Sequence, residues 1–266
     1  MPELPEVETI KRELEKAILG KKIVDVIVKN SKVIKEPARN KFINGLKSAA
    51  IKNILRKGKA LIFELSNGKY LVIHLRMTGQ LVYPGTSNQA RVSFKLSDRK
   101  LLDFNDRRLL GELRLVDNWQ DITFFKGLGP EIYDLTADKF SQMLSKKITK
   151  IKPLLMDQTF LAGIGNLYAA ESLFRAGIHP ARVAKSLTNK EKLLLFKEIK
   201  DILNEAIRHR GSSTDQYVHL SGERGNYARY HRVYDRKGEP CVKCKSKIER
   251  ISLGGRGTYF CPRCQK

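Results

Sequence analysis

The sequence predicts an α+β protein with a leading helix, a β-sandwich, a helical domain and a small terminal cysteine module. Three observations predict this order. Apolar residues recur first at helical spacing, and then in short alternating runs between turn signals. Beyond residue 133 they return to helical spacing, and all four cysteines lie after residue 240. We therefore expect domains at residues 1–133, 134–234 and 235–266.

The leading helix is predicted over residues 5–19, because its apolar residues fall on one face. Pro5 suits the first helical turn, and Gly20 supplies a stop. The short runs that follow are typical of a sandwich or barrel. They cover residues 22–28, 51–55, 60–65, 70–75, 91–96, 100–104 and 112–116. Residues 33–48 match no single element: part is typical of a loop and part of a short helix.

Helical spacing returns in the second half of the chain, over residues 135–144, 153–156, 160–176 and 189–208. Residues 221–238 are polar and contain glycine, arginine and tyrosine, which predicts a loop. The cysteine module then closes the sequence. The change from alternating to helical spacing is the reason for the boundary near residue 133.

The charge balance points to a polyanionic partner. The 266 residues include 51 Lys plus Arg and 28 Asp plus Glu, a net charge of +23. That excess suits a nucleic acid or an anionic membrane surface. No apolar run reaches the length of a membrane span, and the acidic, proline-punctuated start is not typical of a signal peptide. We expect an intracellular protein on DNA or RNA with no membrane partner. A ribosomal or merely basic protein fits the composition equally well.

The cysteines follow the spacing C-x2-C-x16-C-x2-C. Each C-x2-C turn supplies two thiolates, and a hairpin between the turns brings them together as a tetrahedral zinc site. Four thiolates close that site, so one structural zinc ion is predicted. The ligands are Cys241, Cys244, Cys261 and Cys264. The overall charge favours a DNA-contacting finger over a purely structural knuckle.

Two other patterns also suggest functional sites, but each has an ordinary structural explanation as well. Gly163-Ile164-Gly165-Asn166 precedes a predicted helix, where exposed backbone N–H groups suit a phosphate. A glycine turn between packed helices explains that pattern about as well. At the N-terminus, Pro2 would become a secondary amine if Met1 were removed, with Glu3 beside it as an acid or base. On spacing alone, an ordinary helix start explains Pro2 and Glu3 better.

Taken together, these motifs resemble one family, the bacterial formamidopyrimidine-DNA glycosylases. The start MPELPEVET, residues 163–168 with 170–174, and the cysteine module from residue 238 onward all look like that family's signatures. The resemblance implies a helix-two-turn-helix element and a zinc finger. It implies a bifunctional enzyme that excises oxidised purines and then cleaves the abasic site. The implied partner is double-stranded DNA containing oxidised bases or abasic sites. The implied setting is a monomer in the bacterial cytoplasm, on the nucleoid.

The resemblance also implies site residues. Pro2 would attack the deoxyribose C1′ after loss of Met1, Glu3 would protonate the sugar oxygen, and Lys59 would lie near the damaged base and its phosphate. The remaining residues would contact DNA. Phosphate contacts are expected from Asn166 and Arg256, with His74 and Lys152 as weaker candidates, and Met77, Arg108 and Leu110 would fill the gap left by an everted nucleotide. The family usually has Phe where this chain has Leu110.

Two alternatives stay open at this point. An endonuclease VIII-type enzyme for oxidised pyrimidines shares the fold and the nucleophile, but it usually has Gly where this chain has Leu4. A non-enzymatic zinc-finger DNA-binding protein would use Pro2 and Glu3 only as a helix start. Cleavage of a duplex with an abasic site distinguishes this binder from both enzymes.

Overall fold

A computed structural model describes residues 1–214 and 216–266. The chain forms two compact units. The first contains residues 1–126 and 206–228, and the second contains residues 127–205 and 229–266. Each unit combines two segments that are distant in sequence, whereas the predicted domains are continuous ranges with boundaries at residues 133 and 234. Those boundaries remain predictions.

The described residues form seven α-helices and eleven strands. The helices are α1 (Leu4–Ile18), α2 (Arg39–Leu46), α3 (Thr123–Lys126), α4 (Ala137–Ser145), α5 (Ile151–Met156), α6 (Asn166–Ala176) and α7 (Asn189–Arg208). The strands are β1 (Ile23–Val28), β2 (Ile34–Glu36), β3 (Ile51–Lys57), β4 (Ala60–Leu65), β5 (Tyr70–His74), β6 (Gly79–Val82), β7 (Ala90–Leu96), β8 (Leu101–Asp106), β9 (Glu112–Val116), β10 (Glu249–Leu253) and β11 (Arg256–Phe260). No described helix combines the length and the apolar character needed to cross a bilayer.

Two sheets build the first unit. One has the order β1-β7-β8-β6 and is antiparallel, and the other has the order β2-β9-β5-β4-β3, in which β2 and β9 run parallel and the remaining pairs antiparallel. Helix α1 packs on β3 and β4. Of the apolar face predicted from helical spacing, Val7, Ile10, Leu14 and Ile18 are completely buried and Ala17 is half-buried against the same core. Apolar residues of both sheets share one core with this face, which confirms the predicted β-sandwich with a leading helix.

The predicted helix over residues 160–176 is wrong in its first part. The structure has a turn before Asn166, and Gly163 adopts a φ of +93°. Residues 160–164 are apolar and buried, so in the sequence they extend the apolar pattern of the helix that follows. In the structure their backbone forms a turn. Gln158 holds the turn, because its side chain accepts from Gly163 N at 3.0 Å and donates to Ile164 O at 2.7 Å. Gly177 ends α6 with a φ of +71°, as a left-handed cap favours.

The other differences are short elements. Residues 33–48, which matched no single element, contain β2 and α2. The sequence prediction also omitted β6 and α3, each only four residues long. Four residues are too few to establish a period in the sequence, and β6 forms because β8 supplies its hydrogen-bond partners.

Candidate functional site

The N-terminal segment is held by carboxylates that start α1. Glu3 caps the helix, and Glu6 accepts from the backbone N of Glu3 at 2.9 Å in a capping box. The other oxygen of Glu6 accepts from Ser212 N at 2.9 Å. Both Glu3 and Glu6 are buried, as is Pro2, whereas Met1 is 46% exposed. Pro2 is therefore buried next to a well-ordered helix start, and the residue before it is accessible.

Lys59 lies in the turn between β3 and β4, after Gly58, which adopts a φ of +57°. Arg56 donates to Gly58 O at 3.0 Å and to the carboxylate of Glu8 at 2.9 Å. Burial by itself would raise the pKa of Glu8, but hydrogen bonds from Arg56 and Arg12 outweigh it and lower the pKa. The turn that carries Lys59 is thereby tied to α1, the helix that begins just after Pro2.

His74 lies beside the Lys59 turn, because it pairs with Ala60 across β4 and β5. Burial, followed by the positive charge of Arg76, lowers the pKa of His74 to about 3. The ring is therefore neutral at physiological pH. Its Nδ1 accepts from Arg76 N at 3.1 Å, which leaves the proton on Nε2. His74 can donate one hydrogen bond to an anion, and Lys59 supplies the positive charge next to it.

Sheet register brings the predicted gap-filling residues together. Gly79 at the start of β6 pairs with Asp106 at the end of β8. Met77 lies just before β6, and both Arg108 and Leu110 lie just after β8, so the three residues sit on neighbouring loops. Arg108 and Leu110 are exposed, Leu110 by 42%, and Met77 is half-buried. Exposed side chains at the ends of paired strands are free to enter a partner.

The phosphate candidates of the second unit differ among themselves. Lys152 on α5 is only 1% exposed, and it donates to the Asn166 side chain and to Thr258 Oγ1, the latter at 2.9 Å. Asn166 in turn donates to Gly257 O at 3.2 Å. Arg256 is exposed on β11, next to Gly257. The structure thus joins the start of α6 to the hairpin of the cysteine module, with Lys152 as the buried cation between them.

The four predicted zinc ligands converge. Their sulfur atoms all lie within 4.8 Å of one another, with Cys241 and Cys264 3.9 Å apart and Cys244 and Cys261 3.4 Å apart. A tetrahedral ion with Zn–S bonds of about 2.3 Å requires sulfurs about 3.8 Å apart. The donor set therefore fits one structural zinc ion, as predicted. Its chemistry is to hold the two turns of the finger together.

Several residues that organise these sites were not predicted. Glu171 is completely buried on α6, and its carboxylate accepts from the backbone N–H groups of Arg232, Val233 and Tyr234 at 2.7–3.0 Å. Glu6 and Asp106 are likewise buried carboxylates that receive backbone N–H groups. In the sequence they resemble ordinary charged residues. The available signal was their position in apolar or glycine-containing stretches.

Profiles of known families match most of the chain. They are the formamidopyrimidine-DNA glycosylase N-terminal domain over residues 1–113, the H2TH domain of the same enzymes over residues 127–218, and the zinc finger found in FPG and IleRS over residues 238–266. The chain belongs to the formamidopyrimidine-DNA glycosylase family. This membership confirms the resemblance stated from the sequence, together with its helix-two-turn-helix region and zinc finger.

Relatives in this family match the chain from end to end. A formamidopyrimidine-DNA glycosylase of Pelotomaculum thermopropionicum is 42% identical, covering 100% of this chain and 99% of its own. The MutM (FPG) protein of Thermus thermophilus superposes with a TM-score of 0.89 at 36% identity, covering 99% of this chain and 98% of its own. A variant of Lactococcus lactis FPG in complex with Fapy-dG containing DNA gives 0.91 at 36% identity, covering all of both chains.

Proposed function

We propose that this family member is a bifunctional DNA-repair glycosylase. It excises oxidised purines, 8-oxoguanine and formamidopyrimidines, from double-stranded DNA and then cleaves the resulting abasic site. The observation that carries the proposal is the N-terminus: Pro2 is buried directly before the capping box of Glu3 and Glu6 that starts α1, in a chain related throughout its length to formamidopyrimidine-DNA glycosylases. We also expect the protein to act as a monomer, so titration with duplex DNA should show one chain bound per duplex.

The reaction begins once Met1 has been removed. While Met1 remains, the nitrogen of Pro2 is a tertiary amide whose lone pair is delocalised into the carbonyl, so it cannot attack. The free secondary amine attacks the deoxyribose C1′, and the damaged base leaves with its electron pair. Glu3 protonates the sugar ring oxygen, so the ring opens as the C1′–nitrogen iminium forms. Loss of the C2′ proton then expels the 3′ phosphate, and a second elimination expels the 5′ phosphate before water hydrolyses the iminium.

The remaining site residues hold the DNA in this proposal. Lys59 lies near the damaged base and its phosphate, and neutral His74 beside it donates a hydrogen bond. Met77, Arg108 and Leu110 fill the gap left by the everted nucleotide. Leu110 replaces an aromatic ring by an aliphatic wedge, which can also part a base step.

Phosphate binding in the second unit is assigned to a linked group. Asn166 and Arg256 would contact backbone phosphates. Lys152 would contribute its charge from the interior while orienting Asn166, since its hydrogen bonds to Asn166 and Thr258 occupy a side chain that is almost fully buried. We place the enzyme in the bacterial cytoplasm, on the nucleoid, where such a substrate occurs.

The decisive experiment traps the covalent intermediate. Borohydride added during cleavage should join the protein to DNA through the peptide that begins with Pro2. Pro2→Gly should trap far less, and a tag fused ahead of Pro2 should lower cleavage by about a thousandfold or more while binding persists. Lys59→Ala should impair cleavage, with Lys57→Ala at the end of β3 as the matched control. Normal cutting by the tagged chain, with the adduct mapped to Lys59, would overturn the role of Pro2.

Two further measurements define the substrate. Duplexes carrying 8-oxoguanine opposite each of the four bases, beside one carrying an oxidised pyrimidine, separate purine from pyrimidine specificity. Cutting of the pyrimidine duplex alone would favour the endonuclease VIII-type alternative, and binding without cutting would favour the non-enzymatic one. Affinity should also fall steeply with salt, with a logarithmic slope of about −0.9 per phosphate contact.

A further inference from the structure

The loops that carry the gap-filling residues meet at one buried carboxylate. We call residues 75–78 and 107–111 the insertion loops. Asp106 ends β8, is 1% exposed, and faces Gly79 across the ladder to β6. It therefore occupies the junction from which both loops leave the sheet.

The hydrogen bonds of Asp106 join the two loops. Its Oδ1 accepts from the hydroxyl of Thr78 at 2.5 Å and from the backbone N of Arg108 at 3.2 Å. Its Oδ2 accepts from Gly111 N at 2.6 Å. The Thr78 hydroxyl, itself 6% exposed, accepts from Arg108 N at 3.2 Å as well. The Asp106 carboxylate is thus bonded to Thr78 on the first loop and to Arg108 and Gly111, near the two ends of the second loop.

The insertion loops need such support because their backbones are unfavourable. Arg76, just before Met77, adopts a φ of +52°, and Leu109, between Arg108 and Leu110, adopts a φ of +56°. Residues with a Cβ rarely occupy this region unless surrounding contacts hold them. Gly111 is equally constrained, since a Cβ there would lie 2.5 Å from the ring of Phe104.

We propose that Asp106 and Thr78 form a positioning clamp, which sets the separation between Met77 and the Arg108–Leu110 pair so that all three enter the duplex together. This inference rests on the proposed function, because it gives that function its means of choosing the orphaned base. Both side chains of the clamp are buried, so it is a positioning device and not a contact surface. It acts through Arg108, whose backbone N–H it holds, and through the turn that presents Met77.

Thr78→Val tests the clamp, because it keeps the shape of the side chain and removes the hydroxyl. Excision of 8-oxoguanine opposite cytosine should fall about tenfold, and the preference for cytosine over adenine opposite the lesion should shrink. Cleavage of a duplex with a preformed abasic site should stay within about twofold, since no base has to be unstacked. Thr78→Ser, which restores the hydroxyl, should rescue both excision and the preference.

Ser93→Ala is the matched control. Its hydroxyl donates to the buried carboxylate of Asp103 at 2.6 Å in the same sheet, away from the insertion loops. It should lower thermal stability as much as Thr78→Val but leave base preference unchanged. Asp106→Asn should lower excision further than Thr78→Val. The amide NH2 of asparagine would face Gly111 N or the Thr78 hydroxyl, and both of these groups are donors.

Two results would overturn the clamp. In the first, Thr78→Val would excise 8-oxoguanine and discriminate between opposite bases like the unmodified chain. In the second, its activity on the 8-oxoguanine duplex and on the abasic duplex would fall equally, and Thr78→Ser would not restore either activity. The unmodified chain tests the proposed function separately. If it cut neither the 8-oxoguanine duplex nor the abasic duplex, the proposed function would be wrong, and the clamp would have no role.

Discussion

In the first unit, buried apolar residues from α1 and both sheets fill one continuous core, whereas the cysteine pairs of the second unit surround a small apolar cluster. That cluster consists of Ala170, Phe174, Val233, Cys241, Ile248 and Cys261, so two of its six members are metal ligands. A small module cannot bury enough apolar surface to offset the entropy of ordering its chain. The sandwich therefore depends on apolar packing, and the finger depends on polar and metal bonds.

The strongest test of this contrast removes the metal. Zinc contributes about 10–16 kcal/mol to the folding of comparable fingers, so chelation or Cys244→Ser should unfold the finger. Elemental analysis should find one zinc per chain before treatment. DNA affinity should fall, while the urea midpoint of the first unit, followed by the fluorescence of Trp119, should not move. Full-strength DNA binding by the metal-free protein would contradict the dependence of the finger on zinc.

A smaller effect should follow from the buried carboxylate beside the finger. Glu171→Ala leaves three backbone N–H groups without their acceptor, which should cost about 3–5 kcal/mol. Hydrogen exchange at residues 232–234 is the direct readout. Glu171→Gln retains one acceptor oxygen and serves as the control. If residues 232–234 of the Ala variant exchanged as slowly as those of the unmodified chain, the carboxylate would have no anchoring role.

Removing a polar pair from the sandwich unit should cost less, because the apolar core remains. Arg56 and Arg12 both bond to Glu8, but their side chains are 10% and 57% exposed. Arg56→Ala should destabilise the first unit by about 2 kcal/mol and reduce cleavage by loosening the Lys59 turn. Arg12→Ala should change stability by less than about 0.5 kcal/mol. Equal losses in the Trp119 unfolding curves would mean that burial does not decide the value of these pairs.

The last test uses pH. The pKa of His74 is about 3 in the folded chain, and near 6.5 once unfolded. Between these values the unfolded chain binds the additional proton, so the free energy of unfolding falls as the pH falls. His74 should remove about 2 kcal/mol between pH 7 and pH 5. His74→Gln lacks this proton, so its stability relative to the unmodified chain should improve toward pH 5. A constant difference from pH 8 to pH 5 would mean that His74 is not held neutral.

Features with a clear period or spacing along the chain were predictable before the structure was known. Helical spacing placed the buried face of α1, and the alternating runs located most of the strands of the sandwich. The C-x2-C pairs identified all four zinc ligands, because each pair is a single local turn. Order and spacing of motifs were sufficient to indicate the family, while the roles of individual site residues remain predictions.

Which residues far apart in the sequence share a hydrogen bond depends on the tertiary fold. Asp106 meets Thr78 because β6 pairs with β8, and Lys152 becomes a buried donor because α5, α6 and β11 meet around it. Such contacts depend on strand register and on packing between segments far apart in sequence, which no local pattern encodes. The sequence does not distinguish a buried aspartate or glutamate from a solvent-exposed one. Burial and partners, supplied by the fold, make Asp106, Glu171 and Glu6 acceptors that hold loops in place.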